Sequence, residues 1–249
     1  MSQGVSLHGA SPKIDVLIPA RNEEEALPIL LKEMDRSYLR QIVVVDNGST
    51  DRTAAVAVEL GCVVVPCPKP GYGGACLAGM AHLAQNPPDL LVFLDGDRSD
   101  DPSQMRRLID PILADEQDFV LGSRALGQAE KGSLTITQRF GNALATTLMN
   151  FFWKSSYTDL GPFRAISWSA LSQLAMQDPN FGWTIEMQIK ATAMGLRVIE
   201  EPVPYRNRIG TSKISGTLNG VVKAGYKILF TIFKYRFLQR PIVKSKGKP

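Results

Sequence analysis

Four short apolar runs, each ending in a polar cluster, limit what this chain can fold into more than any other feature. IDVLIPA (Ile14–Ala20) runs into RNE, QIVVVD (Gln41–Asp46) into NGSTD, CVVVPCP into KPGYGG, and DLLVFLDGD into RSDD. Strands that are apolar on both faces belong to a parallel sheet covered by helices on both sides. The intervening segments have helical length. In NEEEALPILLKEM, Asn22 is placed to cap a helix and Glu23–Glu25 suit the positive end of its dipole. NGSTDRTAAVAVEL reads as a turn and a helix capped by Ser49 or Thr50, and GYGGACLAGMAHLAQ as a helix with a Gly-rich start. The β-α-β-α-β-α-β rhythm predicts an α/β fold. Ligands in that fold sit at the carboxyl ends of the strands, and the polar clusters lie at those ends.

Farther along, FVLGSR (Phe119–Arg124) reads as a fifth strand, EKGSLTITQ as a linking loop, and RFGNALATTLMNFFW as a helix whose Phe151, Phe152 and Trp153 belong to the core. TDLGPFRAISWSAL reads as loop, strand and helix start, WTIEMQIKATAMG as a helix closed by Gly195, and RVIEEPVPYRNR as a last strand. The expected organisation is a lead-in without fixed structure over 1–12, one domain over 13–215, and a basic amphipathic helix and tail over 216–249. The N-terminus MSQGVSLHGASPK lacks a signal peptide's apolar stretch, and no uncharged apolar run is long enough to span a bilayer. Cys62, Cys67 and Cys76 make no disulfide framework, and with His82 they match no zinc spacing. These features predict a cytoplasmic protein, at most peripheral at the inner face of the membrane.

Charge is segregated along the chain. Residues 1–120 hold ten Lys/Arg against eighteen Asp/Glu, and residues 121–249 hold eighteen against six. After Glu201 come eleven basic residues and no acidic one. This points to an anionic partner at the C-terminal end. Nucleic acid is not expected, because no recognised motif accompanies the charge and the acidic half opposes a broad footprint. Arg206, Arg208 and Lys213, beside Thr211 and Ser212, suit a loop that grips phosphate through charge-assisted bonds. The following helix sets Lys223, Lys227 and Lys234 on one face, with Val222, Leu229, Ile232 and Phe233 on others. Such a helix either lies on an anionic membrane surface or docks on the core with a solvated lysine face.

In DGD, a strand end projects Asp95 and Asp97 toward one pocket, and Gly96 lets the backbone turn or a ligand approach. Two adjacent carboxylates resist joint ionisation unless a cation neutralises them. Mg²⁺ takes one or two carboxylates together with substrate phosphate oxygens. Asp100 and Asp101, next to Pro102 and SQMRRLI, read instead as solvated turn and helix-cap residues. The string is no EF-hand, since Gly96 falls at its second position and Arg106 at its twelfth. GYGGAC departs from the dinucleotide fingerprint at Cys76, and neither a P-loop nor a G-x-S-x-G elbow is present. With His8 and His82 the only histidines, carboxylates must carry any general-base work. Asp46 is either a ligand-binding carboxylate at a strand end or a turn residue.

Taken in order, IPARNE, VVVDNGSTDRT, GYGGACLAG, FLDGD, GSR, DLGPFRA, EMQIKA and YRNRIGTSKISG resemble the inverting family-two glycosyltransferases of the GT-A fold, from about Ile14 to Phe237. The R-x-G-x-S-K string (Arg208, Gly210, Ser212, Lys213) is similar to that of polyprenyl-phosphate hexose synthases, such as dolichyl-phosphate mannose and glucose synthases. The resemblance implies a Rossmann-like, mostly parallel sheet with helices on both faces. It also implies hexose transfer from a UDP- or GDP-linked nucleotide-sugar to polyprenyl phosphate. Pro19, Ala20, Arg21, Glu23 and Asp46 would line the nucleotide pocket, with Asp46 on the base, and Gly71 and Gly73 would let the chain pass the nucleotide. Asp95 and Asp97 would form a DxD element holding Mg²⁺ or Mn²⁺ against the diphosphate, and Arg124 would add charge to the phosphates. Arg206, Arg208, Ser212 and Lys213 would grip the acceptor.

By the same resemblance Asp159 is a general base for a hydroxyl acceptor. A phosphate monoester has a second pKa of about 6 and needs little deprotonation, so for that acceptor Asp159 orients it or the metal. The chain departs from the pattern at Glu186, which stands where hydroxyl-using relatives carry an acidic motif and is open to a buried structural role. It also lacks the C-terminal transmembrane helices of many polyprenyl-phosphate enzymes. Two alternatives therefore stand: transfer to a small soluble acceptor, and a nucleotide-sugar-binding protein without turnover. A homo-oligomer is compatible with each.

Overall fold

The computed structural model describes residues 11–210 and 218–238, with backbone alone over 218–224. Most of the expected lead-in, Ser212, Lys213, the Lys223 side chain and the tail from 239 lie outside the described residues. Seven strands, β1 (Ile14–Ala20), β2 (Gln41–Asp46), β3 (Val63–Pro66), β4 (Leu90–Phe93), β5 (Phe119–Ser123), β6 (Arg164–Ser167) and β7 (Val198–Pro202), form one sheet in the order β3-β2-β1-β4-β6-β5-β7. Pairing is parallel except at β6, which runs antiparallel to both β4 and β5. The helices are α1 (Ala26–Glu33), α2 (Thr53–Glu59), α3 (Tyr72–Leu83), α4 (Met105–Leu113), α5 (Ile136–Trp153), α6 (Trp168–Leu174), α7 (Trp183–Ala193) and α8 (Leu218–Phe233), the last continued by a π turn over Lys234–Leu238.

The central strands are mostly apolar because both faces are covered. Val16 and Ile18 of β1 pack with Leu30 of α1, Ala57 of α2 and Leu108 of α4. Leu17 points the other way, into a second core with Cys76 of α3, Met149 of α5, Leu171 of α6, Ile189 of α7 and Ile232 of α8. The period-2 alternation of the strand divides one apolar run between two cores. From β1 the chain moves outward to β2 and β3, and β4 returns on the opposite side of β1. The loops leaving β1 and β4 therefore diverge, and a crevice opens at their carboxyl ends.

Local details correct three sequence expectations. Asn22 caps no helix: its φ is +54°, its Oδ1 accepts the Thr50 N–H at 2.8 Å, and its own N–H donates to Ser49 Oγ at 3.0 Å. It staples the loop after β1 to the loop after β2, and α1 begins four residues later. The residue shaping the start of α2 is Asp51, whose Oδ1 accepts from Thr53 N at 2.9 Å, rather than Ser49 or Thr50. Phe151 is not in the core but 76% exposed. Asp101, by contrast, caps the turn into α4 as expected, accepting from Ser103 N at 3.0 Å.

Leu17 lies fully buried in the strand beneath the crevice. Leu17→Ala is expected to cost about 2–5 kcal/mol, the range for truncating a buried leucine. Urea unfolding should show a lower midpoint with an unchanged slope; an unchanged midpoint would show that this layer is not tightly packed.

Candidate functional site

The crevice is a cleft of about 240 Å³. The end of β1 contributes Pro19, Ala20, Arg21 and Glu23, and the loop after β2 contributes Asn47. The start of α3 adds Pro70, Gly71 and Tyr72, the end of β4 adds Asp95–Asp97, and Asn180, Phe181 and Arg208 close it from the second half of the chain. Seven residues singled out from the sequence for the donor and metal are thus brought together: Pro19, Ala20, Arg21, Glu23, Gly71, Asp95 and Asp97. Asp46, Gly73, Arg124 and Asp159 are not among the lining residues. Asp46 Oδ1 accepts from Ser49 N at 3.0 Å, the turn role left open above.

The carboxylates at the end of β4 stand in three different environments. Asp95 lines the cleft, and its shielded Oδ1 has no hydrogen-bond partner among the described residues. Burial, and then the charge of Asp97, push its pKa up to about 7, with the Tyr72 hydroxyl, Arg208 and Arg124 pulling the other way. Asp97 Oδ1 accepts from Ser99 N at 2.9 Å and Ser99 Oγ at 2.5 Å, and its Oδ2 meets Arg208 Nη1 at 3.2 Å. Asp100 overturns the expectation of a solvated turn residue. It is fully buried with no side-chain hydrogen-bond partner for either carboxyl oxygen among the described residues, and burial, then Asp95 and Asp97, hold it well above the usual carboxylate range.

Arg208 and Arg206 do not share one anion grip. Arg208 reaches into the cleft and bridges Asp97 to Glu23, with Nη2 3.2 Å from Glu23 Oε1. Arg206 turns to the outer side, pairing with Glu33 Oε2 and Asp101 Oδ2, each at 2.7 Å. The alternation of a short extended segment separates them. That segment runs along the DGD loop, with Arg206 N donating to Ser99 O and Ile209 N to Asp97 O.

Asp159 is 2% exposed and held by Arg124 from three atoms. Arg124 N and Nε donate to its Oδ2 at 2.7 and 2.8 Å, Nη2 donates to its Oδ1 at 2.8 Å, and Leu160 N adds a further bond at 2.8 Å. Burial opposes the charge of Arg124, but Asp159 holds its pKa above the usual arginine range. The surrounding loop is fixed from several elements. Glu200 of β7 accepts from Thr158 N and Asp159 N, Gln188 of α7 donates to Asp159 O at 3.0 Å, and Asn142 of α5 bonds Thr158 O and Leu160 N.

Glu186 has a structural task. Fully buried on α7, it accepts from Gln177 N, Asp178 N and the Tyr235 hydroxyl and pairs with Lys190 at 2.7 Å. It thereby fixes the segment that carries Asn180 and Phe181 to the cleft. That segment also explains the glycines. A Cβ on Gly73 would stand 1.9 Å from Asp178 O, and one on Gly71 2.5 Å from Pro179 O, while Gly74 N donates to Pro179 O at 2.8 Å. Gly73 makes room for backbone from across the molecule. Sequence reasoning missed Asn180 and Phe181, for which no local signal exists. It also missed Asn47, whose Oδ1 accepts from Gly71 N at 3.2 Å and which directly follows the singled-out Asp46.

Comparison with known proteins agrees with this arrangement. The family described as "Glycosyl transferase family 2" matches residues 15–174. An uncharacterised glycosyltransferase of Mycobacterium tuberculosis is 34% identical over 216 residues, covering 86% of this chain and 95% of that one. The polyprenol monophosphomannose synthase of Mycolicibacterium smegmatis is 29% identical over 215 residues, 81% of each chain. In structure, the chain resembles the glucosyl-3-phosphoglycerate synthase of M. tuberculosis, solved with Mn²⁺, UDP and phosphoglyceric acid. The TM-score is 0.72 at 21% identity, covering 95% of this chain and 81% of that one. The shared fold is GT-A.

The buried carboxylates set a pH dependence for the metal-free protein. Asp95 has a folded pKa of about 7 against an ordinary 3.8. Between those values the folded state binds more protons than the unfolded one, so stability falls as pH rises. In EDTA, the stability of the parent relative to Asp95→Asn should decline from about pH 4 to 7. A difference between the two that does not change over this window would contradict the placement of Asp95.

Proposed function

Because the chain belongs to glycosyl transferase family 2, we propose that it moves a hexose, with inversion, from a UDP- or GDP-linked nucleotide-sugar to polyprenyl phosphate. The observation that carries this reading is the Asp95–Asp97 pair at the β1/β4 crevice, with a buried unpartnered oxygen on Asp95. The pair fits a hard divalent cation, Mg²⁺ or Mn²⁺. Among the described residues no third His, Cys, Asp or Glu converges on it, so the remaining ligands are the donor's phosphate oxygens and water. When bound, the cation supplies Lewis-acid neutralisation of the leaving nucleoside diphosphate.

In the proposed transfer, the bond from the sugar's anomeric carbon to the diphosphate breaks with its electron pair going to the phosphate oxygen. An acceptor phosphate oxygen forms the new bond on the opposite face, and no proton has to be removed. Pro19, Ala20, Arg21, Glu23 and Gly71 form the donor wall. Arg208 gives positive charge beside the reacting phosphates, and the Arg124–Asp159 pair orients the acceptor side. The polyprenol-linked relative supports the lipid phosphate, and the basic C-terminal helix would be the contact with the membrane. A soluble phosphorylated acceptor is the second reading. It is favoured by the likeness to the phosphoglycerate enzyme, and by the finding that no helix among the described residues is long and apolar enough to cross a membrane.

The test is transfer of labelled sugar from a donor panel with Mn²⁺. The lipid reading expects an organic-extractable product that EDTA abolishes. Asp95→Ala and Asp97→Ala should each lower kcat by about 10²–10³-fold, the scale for losing one electrostatic stabiliser of a transition state. A water-soluble glycoside in place of that product would establish the second reading. No nucleoside diphosphate released with any acceptor would sink both and leave a nucleotide-sugar-binding protein.

A further inference from the structure

We propose that the outer faces of α5 and α8 form one docking surface that seats the protein on an anionic lipid bilayer, an inference that rests on the lipid-phosphate reading above. On α5, Ile136 and Phe140 are 87% and 68% exposed, and Leu144 and Phe151 are exposed beside them. At 100° per residue these four fall within about 80° of one another, a single stripe down the helix. On α8 and its π turn, Tyr226, Phe230, Phe233, Phe237 and Leu238 are also exposed. Isolated exposed apolar residues are ordinary, but a contiguous patch of them marks an interaction site.

The two stripes are joined. Phe152 lies 5.3 Å from Phe151 on its own helix, and 6.2 and 6.0 Å from Phe233 and Phe237, ring centre to ring centre. A cation rides on these rings: Arg236 stands 5.7 Å over Phe152 and 5.3 Å over Phe237. Aromatic rings with basic groups at their edges match the boundary between acyl chains and anionic headgroups.

Charge selects the occupant. No acidic residue occurs from Lys131 to Thr158 or after Glu201, while Arg139, Lys154, Lys234 and Arg236 belong to these two helices and their ends. A second copy of the chain, packed face to face about a two-fold axis, would set this positive surface against itself. An anionic bilayer complements both the rings and the charge.

The inner faces of the same helices hold the site. From α5, Asn142 bonds the loop carrying Asp159. From α8, Lys227 pairs with Asp178 at 2.9 Å, and Thr231 Oγ1 packs against Gly182, so the segment carrying Asn180 and Phe181 rests on this helix. A bilayer against the outer faces would lie one helix thickness from the residues proposed to receive the lipid phosphate.

The experiment is flotation of the full chain with phosphatidylcholine vesicles, with and without phosphatidylglycerol. The parent should float with the anionic vesicles and release as salt is raised. Phe140→Ser/Phe151→Ser, which changes exposed residues alone, should bind at least about tenfold more weakly from the loss of two inserted rings. It should keep the parent's melting temperature and its transfer to a short-chain, water-soluble polyprenyl phosphate. A parent that does not float, a variant that floats equally well, or a parent dimer dissociated by the double substitution would overturn the proposal. Vesicle binding lost in the variant without lipid-phosphate transfer by the parent would uphold the docking surface and remove only the acceptor reading.

Discussion

Asp95 and Asp97 line the cleft with Asp100 buried behind them, and burial with mutual repulsion raises the cost of charging Asp95 and Asp100. Much of the second half of the chain answers that cost. Arg208 crosses the cleft to Asp97 and Glu23, and Arg206 ties Asp101 to Glu33. Arg124, anchored by Asp159, lends its charge to Asp95 and Asp100 from behind. The charge segregation in the sequence is therefore partly internal: a basic second half closes over an acidic rim built by the first. Of the positive charge on α5 and α8, Lys227 meets Asp178, while Arg139, Lys154, Lys234 and Arg236 have no salt bridge among the described residues.

Arg208 gives this balance its direction. A guanidinium 3.2 Å from Asp97 and a divalent cation on Asp97 compete for the same oxygen. In the proposed reaction the cation arrives with a diphosphate, so the negative charge entering the cleft offers Arg208 a new partner as its old one is taken. Neither the carboxylate nor the guanidinium has to be left bare, and a buried charge without a partner is what would cost most. Arg208 lines the same cleft as the proposed donor and metal residues, whereas the sequence pattern alone assigned it to the acceptor.

What was legible in the sequence follows from range. The strands could be read because covering both faces leaves no polar position in LLVF and a single one in IDVLIPA, Asp15, which is buried against Arg40. The carboxyl-end rim could be read because polar residues there have no packing reason to cluster. Capping could not be ranked: Asn22, Ser49, Thr50 and Asp51 can all accept a backbone N–H, and only the meeting of two loops decides that Asn22 staples while Asp51 starts the helix. Gly73 could not be resolved from the sequence because close approach to a ligand and close approach to backbone 105 residues away ask for the same missing Cβ. Asp100 and Asp101 are neighbours of one type, yet the bridge from Tyr205 buries the first and leaves the second to cap.

The Arg124–Asp159 pair bears on the kind of acceptor. A general base must give up some existing partner to take a proton, and Asp159 accepts four hydrogen bonds, three of them from one buried arginine. Protonating it would leave Arg124, 14% exposed in its side chain, without its counter-charge. A phosphate acceptor makes no such demand, because its nucleophilic oxygen is already ionised, and the guanidinium edge beside Asp159 can attract it directly. The pair is held rigidly in place. Its stiffness comes from Glu200, Gln188 and Asn142 on three other elements, so the bonds that would position an acceptor in the proposed reaction are also bonds of the fold.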